Sequence, residues 1–429
     1  MKRPGDASTY DLLIAGAGPV GCVVARLAAD EFGWRSLVVE KRDHVAGNCH
    51  DRHHESGVLI HVYGPHFFRT NSQALLDFLS RFTAWVPGKY VVNSKIGSTL
   101  YPFPINLTTL ERYFDRAFTP DEARRFLEAE RVPIAHPTNS EEFVLSRVGR
   151  RLFESFYRGY TEKQWGVHPR DLDPSVCGRI PVRMDRDERY VDHRFQVMPA
   201  AGFTEMFRRM LDHPAITVRT GADFFECRQE VSPAIATLYT GPVDAYFKGC
   251  YGPLPWRSLD FEFRTYDQEF VQPCASINYP NEHAYTRSVE IKHATRQVHP
   301  RTVISYETPR ATGDPYYPMP MPKSAALYRR YAELAADETR AKRVHFAGRL
   351  ATYRYLNTDE AIESAFEVFE RIKVEAAMAP SRDHIVRSES ERRGVPHKKR
   401  GGTPALGTPT TSDAARRTSP PDEIDLVVS

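Results

Sequence analysis

Leu12-Leu-Ile-Ala15-Gly16-Ala-Gly18-Pro-Val-Gly21, an apolar run to about residue 32, and then Ser36-Leu-Val-Val-Glu40 are the stretch that decides the architecture. Residues 10–15 read as a buried strand, the run after the glycines as a helix, and Ser36 to Glu40 as a second strand. This is a β-α-β unit with its glycines at the first strand-to-helix turn. Gly16 permits the tight turn, Gly18 leaves backbone open to a pyrophosphate, and Gly21 lets the helix pack on the strand. The helix N-terminus offers free N–H groups and a partial positive charge to phosphates. Glu40 ends the second strand, where a carboxylate accepts from both ribose hydroxyls of an adenosine and repels a 2′-phosphate. The unit alone leaves NAD and FAD open.

Two further segments favour FAD. Arg42, Gly47 and Asn48 follow the ribose acid closely, a basic residue and a glycine in the manner of two-dinucleotide-fold flavoproteins. Far along the chain, Val344-His-Phe-Ala-Gly348-Arg349 reads as a short strand ending in glycine, leading into a helix over 359–375 with an apolar stripe of Ile362, Ala365, Phe369 and Ile372.

Between these ends the periodicity changes. Residues 71–83 read as a helix. Residues 90–93 and 98–103 read as strands around a turn at Gly97, and 108–164 as mostly helical. From about 244 to 309 alternation takes over, which predicts an antiparallel sheet, and 324–337 returns to helix. The expected fold is α/β: a Rossmann-like FAD-binding domain with a parallel sheet (8–85, 196–242 and 340–377), an inserted helical substrate domain (105–178), and an antiparallel sheet domain (86–104, 179–195 and 243–339). The stretch 378–429 is rich in Ser, Thr, Pro, Gly and Arg and reads as a disordered tail.

Bulk properties exclude other classes. With 429 residues, 41% hydrophobic and 11% aromatic, the chain supports a multi-domain globular core, and a formal net charge of +3 asks for no nucleic acid. The six cysteines (Cys22, Cys49, Cys177, Cys227, Cys250, Cys274) are scattered without a Cys-x-x-Cys pair, so no metal site and free thiols are expected. The polar start carries no signal peptide, no apolar run is long enough to span a membrane, and a cytoplasmic setting is expected.

Eight motifs in series carry a resemblance from about residue 9 to about residue 373. They are His61-Val-Tyr-Gly64-Pro-His66-Phe-Phe, Gly159-Tyr160-Thr-Glu-Lys-Gln-Trp165-Gly, Arg179-Ile-Pro-Val-Arg183, Tyr239-Thr-Gly-Pro-Val-Asp-Ala-Tyr-Phe247, Trp256-Arg257-Ser-Leu-Asp-Phe, Tyr285-Thr-Arg287, Asp314-Pro-Tyr316-Tyr317-Pro and Gly348-Arg349-Leu. In order and spacing they resemble the UDP-galactopyranose mutases. The resemblance implies a flavoenzyme that interconverts pyranose and furanose forms of a nucleotide sugar, redox-neutral overall but dependent on reduced FAD, whose N5 attacks the anomeric carbon. It implies an external reductant such as NAD(P)H, and a homodimer.

The same resemblance implies site residues. Arg179 and Arg287 match the family's diphosphate arginines, and Arg257 an auxiliary one. Tyr190, Tyr317 and Tyr355 match phosphate-donating tyrosines. Phe156, Tyr160 and Trp165 match the aromatics that hold the uracil, Asn278 a polar contact near the base, and His66 a histidine beside the flavin. An arginine neutralises a departing diphosphate with a forked donor set, which is what the chemistry needs. Three positions depart from the family: Pro65 and Arg69 replace its usual small residue and histidine around His66, and Asn357 stands at an aspartate found in most bacterial members, with Glu360 completing a helix-capping pattern. These departures keep open a mutase for another UDP- or dTDP-sugar; in another class, an amine-oxidase-like FAD oxidoreductase shares the first fifty residues, with Tyr160, Trp165 and the paired arginines against it. A non-catalytic flavin-binding protein is a further rival.

Overall fold

The computed structural model describes residues 10–378, and the tail expected over 378–429 falls, apart from Met378, outside them. The opening β-α-β unit forms as read: strand Leu12–Ala15, helix Pro19–Phe32, strand Ser36–Val39. The helix begins with proline at its first position and ends on Gly33 in the left-handed conformation, the expected start and stop chemistry.

These two strands enter a five-stranded parallel sheet with Ile216–Arg219, Ala236–Tyr239 and Val344–Phe346. Leu12–Ala15 lies at its centre, between Ser36–Val39 and Ala236–Tyr239. Three stretches far apart in sequence therefore build one sheet. Its continuous apolar strands are covered on both faces, as parallel sheets require. One face packs on Pro19–Phe32, Phe203–Leu211 and Thr358–Met378, through Leu12, Ile14, Val23, Phe207, Ile362 and Phe369, all at 1% exposure or less.

A seven-stranded sheet forms the second body of strands. Its long pair is Trp256–Tyr266 with Thr302–Arg310, antiparallel over nine paired positions. Arg287–Val289 lies beside it and Ser276–Asn278 beyond. One contact departs from the expected antiparallel pattern: Ser276–Asn278 runs parallel to Val92–Ser94. Within the stretch of alternation over 244–309, residues 270–279 form strand only at Ser276–Asn278, and the segment after it holds strand Arg287–Val289 and a helical turn Lys292–Thr295. The Glu290 carboxylate accepts from the backbone N–H groups of Val271 and Gln272, which draws that loop in and ends the strand pairing.

Residues 107–178 are helical. Thr119 and Asn106 close capping boxes, and Asn139 caps the next helix. The segment Phe153–Arg158 is a π-helical turn leading directly into helix Gly159–Trp165. Such turns carry one extra residue per repeat and re-aim the side chains after them. All six cysteines are unpaired. No helix among the described residues is long and apolar enough to cross a membrane, and no cluster of metal-ligating side chains forms among them.

Candidate active site

The carboxyl ends of the central parallel strands open into a cleft of about 560 Å³, the position at which such sheets bind ligands. Gly16 sits at φ +102°, and a Cβ there would meet Thr240 Oγ1 at 2.2 Å. Gly18 and Gly47 face one another with bare backbone between them, and the helix that starts at Pro19 has no side-chain cap. Its first N–H groups are left for a ligand. Gly21 does not reach this cleft. A Cβ there would meet the Gly16 carbonyl at 2.0 Å, so its bareness serves the packing of helix on turn.

Glu40 does more than the sequence indicated. Its Oε2 accepts from the Ala17 N–H at 2.8 Å and its Oε1 from the Arg42 N–H at 3.0 Å. The carboxylate braces the glycine turn from beneath, and each oxygen keeps a lone pair for a further donor. Arg42 donates to Asn48 Oδ1 at 2.9 Å and lies over the Tyr63 ring. Gly348 and Arg349 line the same cleft from the last strand.

A second cleft of about 380 Å³ adjoins the first, and the two share Asn48, His66, Arg349, Asn357 and Thr358. Four guanidiniums line it: Arg69, Arg179, Arg287 and Arg349. Each is held differently. Arg287 leaves strand Arg287–Val289 and donates its Nε–H to Glu307 Oε2 at 2.6 Å, across the strand pair that sets the two residues opposite each other. Arg179 lies 4.3 Å over the Tyr355 ring and is the most open of the four. Arg349 donates to the backbone carbonyls of Tyr316 and Leu356.

These cations set the electrostatics. Burial pushes the Tyr355 phenol up, but Arg179, Arg349, Arg287 and Arg69 together hold it below its usual value. Tyr317 stacks on Tyr355, centroids 5.6 Å apart and rings 12° from parallel. Glu307 is fully buried, which raises its pKa, and only Arg287 opposes that. His66 is held neutral, its pKa lowered to about 3 by burial and by His61, Arg349 and Arg287 nearby. Its Nδ1 lies 2.9 Å from the Gly64 carbonyl, so the proton sits on Nδ1 and Nε2 is left as an acceptor.

Of the residues expected here, His66, Phe156, Tyr160, Trp165, Arg179, Tyr190, Asn278, Arg287, Tyr317, Tyr355 and Asn357 all line this cleft. Trp165 is 5% exposed, in an apolar cluster with Leu172, Met319 and Met321 and edge-on to Tyr317. Arg257 is the exception. It donates its Nε–H to the Gln164 carbonyl at 2.9 Å and a terminal N–H to that of Lys163 at 3.1 Å, capping helix Gly159–Trp165 from behind. The unpaired carbonyls at that helix end outcompete the cleft for its donors.

Sequence reading missed Glu307 and Tyr90, and marked Arg69 only as a departure from the family, with no role. Glu307 left a signal: a charged residue in an apolar strand run whose neighbours face the core. Tyr90 stacks on Phe67 at 3.7 Å and carried no signal beyond strand propensity.

Comparison with known proteins decides the family. Residues 155–355 match the family model for UDP-galactopyranose mutase, and residues 14–82 match that for an NAD(P)-binding Rossmann-like domain. The chain is 36% identical over 364 residues to the probable UDP-galactopyranose mutase of Klebsiella pneumoniae, covering 83% of this chain and 93% of that one. This chain belongs to the UDP-galactopyranose mutase family. The family's members are isomerases, and the enzyme class expected from the sequence holds. Within reach of the mutase family stands a relative of different name, the dTDP-fucopyranose mutase of Escherichia coli, 34% identical over 369 residues and covering 83% of this chain and 96% of that one. A crystal structure of reduced UDP-galactopyranose mutase shares the fold, with a TM-score of 0.68 at 15% identity over 87% of this chain and 97% of that one. A putrescine oxidase variant matches more weakly, at a TM-score of 0.51, so the mutase and amine-oxidase folds share this frame and the mutase family is set by sequence.

Proposed function

We propose that the protein is a flavin-dependent nucleotide-sugar mutase that interconverts pyranose and furanose forms, with UDP-galactopyranose and UDP-galactofuranose as the default pair. The observation that carries this is the junction of the two clefts. A dinucleotide cleft and a guanidinium-lined cleft meet at His66, Asn48 and Arg349.

The residues of the first cleft fit FAD. Glu40 would take the adenosine ribose, the Gly16–Gly18 turn and the uncapped helix the pyrophosphate, and Asn48, His66 and Arg349 the flavin end. The bare faces of Gly18 and Gly47 and the unpaired helix N–H groups are what that ligand requires. A reduced flavin held there supplies a nucleophilic nitrogen for the anomeric carbon.

The chain's own residues supply the rest. Arg179 and Arg287 neutralise the charge that grows on the nucleoside diphosphate as its bond to the sugar breaks, and the Tyr190, Tyr317 and Tyr355 phenols donate to the same oxygens. Tyr160, Trp165 and the edge of Phe156 take the base, with Asn278 nearby. Neutral His66 offers Nε2 as an acceptor to a sugar or flavin N–H or O–H. The paired Arg287–Glu307 keeps one cation fixed before substrate arrives, which lowers the reorganisation needed in the reaction. An external reductant and a homodimeric assembly belong to this reading on the family resemblance alone.

The similarity to a dTDP-fucopyranose mutase supports a second reading of the same class, a mutase for a dTDP-linked deoxysugar. Turnover by the chemically reduced protein of UDP-galactofuranose and of dTDP-fucofuranose, followed by chromatography, discriminates them. The default reading expects faster conversion of the UDP-sugar. Faster conversion of the dTDP-sugar replaces it with the second.

A further inference from the structure

One guanidinium in the substrate cleft has no assigned role. Arg69 extends from strand Phe68–Thr70 and donates an Nη2–H to Asn357 Oδ1 at 2.8 Å. The other end of that amide, Nδ2, donates to Glu360 Oε2 at 2.8 Å. This fixes which way the amide is turned. Reversed, it would set N–H against the guanidinium and oxygen against the carboxylate.

Three observations separate Arg69 from a structural arginine. Its partner is neutral, and it forms no ion pair with a carboxylate among the described residues, although nearby Asp359 feels its charge. Arg287 in the same cleft is by contrast paired. Its Nε–H is buried without any partner among them, and native proteins rarely leave a buried donor so. It lines the guanidinium cleft and not the dinucleotide cleft. Nε and Nη1, the nitrogens of its forked donor set that have no partner among the described residues, remain for an oxyanion. Tyr190 and Tyr355, the phenols proposed to donate to phosphate, both feel its charge.

We propose that Arg69 is a third diphosphate-binding guanidinium beside Arg179 and Arg287, and that Asn357 is its positioning residue. The amide at 357 orients the fork without quenching its charge, which a carboxylate in the same place would do. The assignment rests on the nucleotide-sugar reading above. The phosphates are the anionic groups of such a substrate, and Glu360, the carboxylate lining the cleft, is taken up by the Asn357 amide and not by Arg69.

Calorimetric titration of the flavin-loaded full chain tests it, using UDP, dTDP and the nucleosides uridine and thymidine as probes. Wild type is expected to bind one of the diphosphates. Arg69→Met should weaken that diphosphate about tenfold or more and leave the matching nucleoside unchanged, which is about 1.4 kcal/mol per tenfold. Arg69→Lys should recover part of the loss, since it restores charge without the fork. Asn357→Asp should weaken the diphosphate severalfold with the nucleoside again unmoved. Diphosphate affinity in Arg69→Met equal to wild type overturns the proposal, as does an equal loss for diphosphate and nucleoside, which marks Arg69 as a support for the whole cleft. A wild-type protein that binds neither diphosphate removes the nucleotide-sugar reading, and this one with it.

Discussion

Arg287 and Arg179 are both guanidiniums in one cleft, yet they are predicted to fail in different ways. Arg287 neutralises Glu307, whose carboxylate is buried and whose Oε1 has no partner among the described residues. Removing the cation strands that charge. Arg287→Ala is therefore expected to cost about 3–5 kcal/mol of stability as well as activity. Adding Glu307→Gln should return most of the stability and none of the turnover, read by denaturant unfolding and by rate. Arg179 has no carboxylate to strand. Arg179→Ala should stay within about 0.5 kcal/mol of wild type in stability while losing on the order of 10²–10³ in rate. Equal stability loss in the two variants would contradict the distinction. The arginines were legible in the sequence because they sit in motifs. The Glu307 partnership was not, since it depends on which strand lies beside Arg287–Val289, and no local pattern encodes that.

At the scale of the element, the glycine turn and the Trp165 helix carry opposite lessons. The β-α-β unit was read with its bounds nearly right because each signal was local: apolar strand, glycine turn, apolar helix, and a second strand closed by Glu40. Gly21→Ala is predicted to abolish cofactor retention, since the new Cβ would press on the Gly16 carbonyl. The flavin-to-protein ratio after gel filtration measures this, and full occupancy would refute it. Helix Gly159–Trp165 was also found, but not how it is held. Lys163 Nζ donates to the carbonyls of Tyr279, Glu282 and His283, and Arg257 closes the helix end from the other side. Both clamps reach backbone far along the chain and leave no trace in residue type. Arg257→Ala should uncover two carbonyls, cost about 1–3 kcal/mol, and raise cleavage near Gly166 in limited proteolysis. Unchanged cleavage and stability would place Arg257 outside that role.

For the whole molecule, the parallel sheet draws on three separated stretches of chain, and of its five strands only Leu12–Ala15, Ser36–Val39 and Val344–Phe346 were read singly, while Ile216–Arg219 and Ala236–Tyr239 were not. His61 is buried and His66 stands where the two clefts meet, and this makes stability depend on pH. Burial lowers the pKa of each to about 3, against 6.5 for an exposed histidine. The unfolded chain then binds more protons than the folded one between these values. Stability should be highest above about pH 6.5 and fall as the pH drops toward 3. Asp51, 4.0 Å from His61, is raised by its own burial and softens the lower part of that fall. His61→Gln should flatten the slope between pH 6.5 and 5 by up to one proton, measured by urea unfolding at a series of pH values. An unchanged slope would contradict the buried neutral state. The joined clefts are the larger claim, because only their contact makes one enzyme of two binding sites. The most direct test is to mix the purified protein with UDP-galactofuranose and with dTDP-fucofuranose, with the flavin oxidised or reduced by dithionite, and to follow the pyranose products by chromatography. The account predicts conversion of at least one sugar by the reduced form alone, and no conversion of either by fully flavin-loaded, reduced protein would contradict it.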